Sequence, residues 1–232
     1  MIVLYSYPGL FGLPDNNPFG LKVHAFLRLS RLPFRQEQVF DASTAPRGQL
    51  PYIDDAGEIV GDSDTIIAHL GHRYSLAVDQ DLTDTDRAVD HLVSRMLDDL
   101  YWVMSYSRWA DDRFWPQFRD AVLREHPEVM PEAMAAAREH NFKRYHYQGI
   151  GRFEVDAVYA RGLADLLTLD HLLGAKRFLH GDDRPRSIDT AAYGFLANML
   201  FYPIETPLKG YAERETGLRA YCERVHERVG EG

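Results

Sequence analysis

Strand-forming signals in this 232-residue chain are confined to its first third, and the sequence beyond residue 83 carries helical periodicity alone. Strands can pair only with other strands, so any sheet must be assembled within those first residues and the rest must pack as helices. Residues 2–7 (IVLYSY) are β-branched and aromatic, and Pro8 and Gly9 end the run. After a turn-rich loop, Asn17 takes the N-cap slot of a helix and Pro18 its first position. Apolar residues of that helix cover more than one face, as in a helix covered on two sides by its own sheet and by a second layer. Pro33 stops it, and residues 34–40 (FRQEQVF) predict a second strand. PYIDD and EIV flank Ala56 and Gly57 as a hairpin. Asp62 or Ser63 then caps a helix on which Ile66, Ile67, Leu70 and Tyr74 share a face.

Residues 75–82 (SLAVDQDL) are polar and unpatterned, which predicts a linker between a domain at 1–75 and an all-helical domain at 83–232. In the second, Leu92, Met96, Leu100 and Val103 mark one helix, and residues 155–173 carry a long amphipathic stripe. The run around Ala191, Phe195 and Leu200 is apolar on nearly all sides and belongs at the centre of a bundle.

The net charge of −9 argues against nucleic acid as a partner, because phosphate binding requires a positive footprint. A single cysteine, Cys222, rules out an internal disulfide framework and predicts a buried packing thiol. The ten histidines form no metal-ligand pattern and no nucleophile elbow occurs. With no signal peptide and no membrane-length apolar run, the expected compartment is the cytoplasm and no membrane partner is expected.

Four separated strings resemble the glutathione S-transferase superfamily. RGQLPYIDDAGEIVGDSDTIIAHL (47–70) resembles the second half of its N-terminal domain, and FLHGDDRPRSIDTAAYGFLANML (178–200) resembles its helical-domain signature. NPFGLKVHAFLRLSRLPF (17–34) and YQGIGRFEVDAVYARGL (147–163) are similar to the failed-axon-connections and metaxin-like branch. The resemblance implies a thioredoxin-like N-terminal domain with a four-stranded mixed sheet, followed by a helical bundle, an α/β plus all-α chain.

It also implies a glutathione pocket. Pro51 would be a cis proline, with the backbone of Leu50 holding the cysteinyl unit; an ordinary trans proline opening a strand is the alternative. Ser63 and Asp62, at a helix N-terminus, would take the γ-glutamyl carboxylate and α-amino group, or one of them simply caps the helix. Arg47 would reach the glycyl carboxylate. The slot that holds serine or cysteine in active relatives is Asn17, and the slot three residues on is Gly20. A C-P-F-C pattern therefore reads N-P-F-G, and thiol exchange is disfavoured. Asn17, through its NH₂ group, and Tyr7, at the end of the first strand, are the candidates for activating the glutathione thiol, whose free pKa is about 8.5–9. Tyr5 is expected to pack under a helix. Tyr101, Trp102, Tyr106, Trp109 and Trp115 form core or line a pocket for an electrophile beside Arg108 and Arg113. Residues 149–152 (GIGR) break a helix, with Arg152 a candidate contact for an anion. Arg186 replaces the usual Ser or Thr three residues before Asp189, which puts the local helix cap in doubt.

Two functions follow. One is an enzyme, expected as a homodimer, that would direct the glutathione thiolate to a small hydrophobic electrophile. The other is a binding or scaffolding protein of metaxin-like type that has lost the chemistry.

Overall fold

A computed structural model describes residues 1–214 and 217–231. Strand β1 (Ile2–Ser6) runs parallel to β2 (Phe34–Gln38), with Ile2 opposite Phe34, and antiparallel to β3 (Tyr52–Asp55), with Tyr5 opposite Tyr52. Strand β4 (Glu58–Gly61) pairs with β3 and completes the order β2-β1-β3-β4, the expected mixed sheet. The β3–β4 turn is Ala56 and Gly57, both at positive φ (57° and 94°), the backbone that suits a tight hairpin.

Helices α1 (Pro18–Leu29) and α2 (Ser63–Arg73) cover one face of the sheet. Their Val23, Phe26, Leu27, Ile66 and Leu70 pack on Ile2, Leu4 and Ile53. Strand alternation sends Tyr5 to the other face. There it stacks on Tyr52, centroids 4.4 Å apart and planes 7° from parallel. Tyr5 therefore does not lie under a helix, because both helices occupy the Leu4 side.

Among the described residues, seven α-helices follow: α3 (Asp84–Trp109), α4 (Trp115–Glu125), α5 (Pro131–Gln148), α6 (Val155–Leu173), α7 (Ser187–Leu200), α8 (Pro207–Arg214) and α9 (Leu218–Glu231). Every residue of α7 from Ile188 to Leu200 is buried, as its apolar sequence requires. Gly194 lets α1 approach it: a Cβ there would stand 2.5 Å from the Pro18 carbonyl oxygen. The first turn of α1 is thus seated on the centre of the bundle. Cys222 is fully buried, and burial pushes its thiol up, so it is a packing thiol.

The start of α7 is secured despite Arg186. Asp189 accepts hydrogen bonds from Arg186 N (2.7 Å), Leu179 N (2.9 Å) and the Tyr221 hydroxyl (2.7 Å). A guanidinium cannot accept, so Arg186 cannot complete the reciprocal cap. Residues before α3 do so instead: Asp79 accepts from Ser187 N at 3.0 Å, and Asp81 pairs with the Arg186 side chain at 2.7 Å. The segment between sheet and bundle is therefore tied to the bundle by its carboxylates.

Candidate active site

Tyr5 lies opposite Tyr52, and Tyr52 opposite Gly61, so three chain segments leave the sheet side by side at one end. They are the residues after β1, those before β3 and those after β4. Tyr7, Leu50 with Pro51, and Asp62 with Ser63 sit on these segments. Helix α1 joins them through an ion pair between its Lys22 and Asp64 in the first turn of α2.

The Leu50–Pro51 peptide is cis. Neither the N–H nor the C=O of Leu50 makes a hydrogen bond within the described residues. Such groups are ordinarily paired in a folded chain, so a free pair beside a strand start is a place where an extended ligand can add.

Asp62 is the N-cap of α2, and its Oδ1 accepts from Thr65 N and the Thr65 hydroxyl, both at 3.0 Å. Its backbone stands at φ 78° and ψ 128°, a conformation that costs a non-glycine residue on the order of 1–3 kcal/mol. Ser63, at the first helical position, is buried, and its hydroxyl and N–H have no partner within the described residues. The helix end adds a partial positive charge at the same point. Arg47 lies in the 3₁₀ turn before Pro51, exposed, with Nη1 4.0 Å from Asp62.

Asn17 caps α1: Oδ1 accepts from Phe19 N at 3.0 Å. With that oxygen engaged, its NH₂ group is left as a donor without a partner among the described residues. Tyr7 is half-buried, and its hydroxyl is likewise unpartnered. Burial raises its pKa, with Tyr101, Asp15 and Asp41 adding to the rise and Arg144 opposing it. Tyr7 is therefore a neutral hydrogen-bond donor at physiological pH, not a base.

The expected pocket arginines are occupied elsewhere. Arg108 donates to Asn16 O at 3.0 Å and to the Asn198 carbonyl, and it lies over the Tyr202 ring. Arg113 forks onto Asp111, which also accepts from the Tyr159 hydroxyl at 2.7 Å. Arg152 donates to His146 O at 2.9 Å after the Gly149 helix stop. Most of the aromatic cluster packs as core around Tyr145 and Trp109. Tyr101 instead meets Phe19 of α1 at 5.1 Å. Arg144 was not singled out by the sequence: it lies over Trp102, bonds Asn141 Oδ1 at 2.9 Å and has no carboxylate partner among the described residues. Its signal was the i, i+1 neighbour Tyr145, too weak to read without knowing what faces α5.

The Glutathione S-transferase N-terminal domain family matches residues 18–114, and the Glutathione S-transferase, C-terminal domain family matches residues 162–225. Over 237 aligned residues the chain is 31% identical to isoprene-epoxide–glutathione S-transferase of Rhodococcus sp. (strain AD45), covering 98% of each chain. The chain belongs to the glutathione S-transferase superfamily. Within that superfamily it is also 26% identical to Failed axon connections of Drosophila melanogaster, over 98% of this chain and 58% of that one. The second relative bears out the branch resemblance read from residues 17–34. In three dimensions the fold is similar to β-etherase LigF from Sphingobium sp. strain SYK-6, with a TM-score of 0.62, 21% identity, and coverage of 100% and 99% of the two chains. Among the described residues, no helix is long and apolar enough to cross a membrane.

Proposed function

We propose that this superfamily member is a glutathione transferase that binds glutathione at the sheet end and directs its thiolate to a small hydrophobic electrophile. The observation that carries the reading is the convergence of unpartnered polar groups there. Leu50 offers a backbone donor and acceptor, Ser63 a hydroxyl and N–H, Asn17 an NH₂ and Tyr7 a phenol. A surface that had lost its ligand would have no reason to keep four such groups at one place, two of them on buried residues.

Leu50 holds the cysteinyl backbone in strand-like pairing next to cis Pro51. Ser63 takes the γ-glutamyl carboxylate at the α2 N-terminus, Asp62 the α-amino group, and Arg47 the glycyl carboxylate. The sulfur then lies at the start of α1. Its proton leaves to solvent, and the thiolate is stabilised by the helix end, the Asn17 NH₂ and the Tyr7 hydroxyl. Attack on an epoxide, the group named for the Rhodococcus relative, forms a C–S bond and breaks a C–O bond. The alkoxide released takes a proton from water or from Tyr7, with the Arg144 charge nearby. The expected assembly is a homodimer.

The competing reading, a scaffold without turnover, is favoured by Asn17 and Gly20 standing where active relatives carry serine or cysteine. Calorimetry separates the two. Glutathione binding in the micromolar-to-millimolar range, with conjugation to a small epoxide detected by mass, supports the enzyme. No heat of binding up to several millimolar glutathione removes it.

A further inference from the structure

Gly20 is the third residue of α1, the position whose side chain in a capping box folds back to accept the N–H of the N-cap residue. Glycine has nothing to fold back. The acceptor comes from five residues upstream instead: Asp15 Oδ1 accepts the Asn17 N–H at 2.7 Å. The other oxygen, Oδ2, occupies the space at position 20, where a Cβ would stand 1.7 Å from it and 3.2 Å from Ser6 Cβ. Any side chain at position 20 must displace this carboxyl. Asp15 itself is fully buried, and Oδ2 has no hydrogen-bond partner among the described residues.

We propose that Asp15 and Gly20 form one positioning unit for the thiol site, in which the Asp15 carboxyl replaces a side chain at position 20 and holds Asn17 with its NH₂ group toward the glutathione sulfur. The proposal rests on the glutathione reading above. It makes Gly20 the cavity that admits Asp15, not a vacated cysteine.

The surroundings fix the state in which the carboxyl works. Ser6 and Tyr7 face it from β1 and its exit, Asn17 and Gly20 from α1, and Asn198 and Tyr202 from α7 and its end. Arg108 of α3 is directed at Asn16 and Asn198. Burial pushes the Asp15 carboxyl well above the ordinary carboxylate range, against the lowering effect of the Asn17 N–H, the Ser6 hydroxyl and the Tyr7 backbone. Burial favours the neutral acid, the form in which Asp15 orients Asn17 with no negative charge beside the thiolate.

The test uses the whole protein with bound glutathione, following thiolate absorbance across pH in wild type, Asp15→Ala, Asp15→Asn and Gly20→Ala. S-methylglutathione, which has no thiol proton, reports binding alone. Asp15→Ala and Gly20→Ala are expected to bind S-methylglutathione within about twofold of wild type. Both should raise the bound thiol's pKa by about one unit, leaving roughly tenfold less thiolate at neutral pH. Asp15→Asn, neutral and still able to accept the Asn17 N–H, should keep the wild-type titration. Titrations of Asp15→Ala and Gly20→Ala that superimpose on wild type overturn the proposal and leave the glutathione reading standing. So does an Asp15→Asn protein as impaired as Asp15→Ala, since an ionised carboxylate would then be required. Wild-type protein that binds no glutathione removes both. If Asp15→Ala does not fold, the Gly20→Ala and Asp15→Asn titrations decide the matter.

Discussion

Arg108 Nη1 donates to the Asn16 carbonyl oxygen at 3.0 Å, so a helix of the bundle holds the residue that precedes the N-cap of α1. Asn198 and Tyr202 join it: Asn198 Nδ2 donates to Asp15 O at 3.3 Å, and the Tyr202 hydroxyl to Asn16 O at 3.4 Å. The loop that carries the thiol-activating candidate is therefore shaped by the helical half. Residues 92 to 186 positions away from this loop in the chain decide where Asn17 stands.

Replacing Arg108 with Met strands the Asn198 carbonyl oxygen in a part-buried site and leaves the Asn16 carbonyl only the long Tyr202 hydrogen bond. We expect a loss of about 2–3 kcal/mol in stability by chemical denaturation, since a buried acceptor left without its charged donor bears its full desolvation cost. A loss under about 0.5 kcal/mol would show that water replaces the guanidinium.

Ser63→Ala removes a hydroxyl with no partner among the described residues, so folding stability should change little. Glutathione affinity should fall about tenfold, the equivalent of about 1.4 kcal/mol for one hydrogen bond to a charged group. Isothermal calorimetry checks it, and an unchanged dissociation constant would take Ser63 out of the pocket.

Asn17→Ala and Tyr7→Phe separate the two candidate donors. Asn17→Ala should lower stability by about 1 kcal/mol through loss of the cap and also lower the conjugation rate. Tyr7→Phe should affect rate alone. If both variants conjugate at the wild-type rate, backbone N–H groups at the start of α1 stabilise the thiolate unaided.

A carboxylate away from the site gives a pH prediction. Burial in α6, with Asp99 nearby, pushes Asp165 up to about 6, while Arg161 opposes the rise. The folded state then holds a proton that the unfolded state has released, so this group's contribution falls as pH rises from about 4 to about 6. Asp165 is only partly buried, so screening by solvent limits the effect to about 1 kcal/mol. Asp165→Asn should be more stable than wild type at pH 7 by that amount, with the gap closing toward pH 4. A pH-independent difference in denaturation midpoint would contradict it.

The element order, the hairpin at Ala56 and Gly57, the Asn17 cap, the central helix α7 and the helix stop at Gly149 were all legible in the sequence. Each depends on residues within about one turn or one strand of each other, where propensity and periodicity act directly. The pocket's outline was legible for the same reason, since Pro51, Asp62 and Ser63 lie in one contiguous motif. The fates of Arg108, Arg113, Tyr5 and Asp15 were not. An arginine reads the same whether its guanidinium meets solvent, a substrate or a distant carbonyl group, and only the packed chain supplies the carbonyl. Gly20 alone reads as a missing cysteine. With Asp15 folded onto it, it becomes the space a buried carboxyl requires, because the contact that gives it meaning is made across a loop and clamped by the opposite half of the molecule.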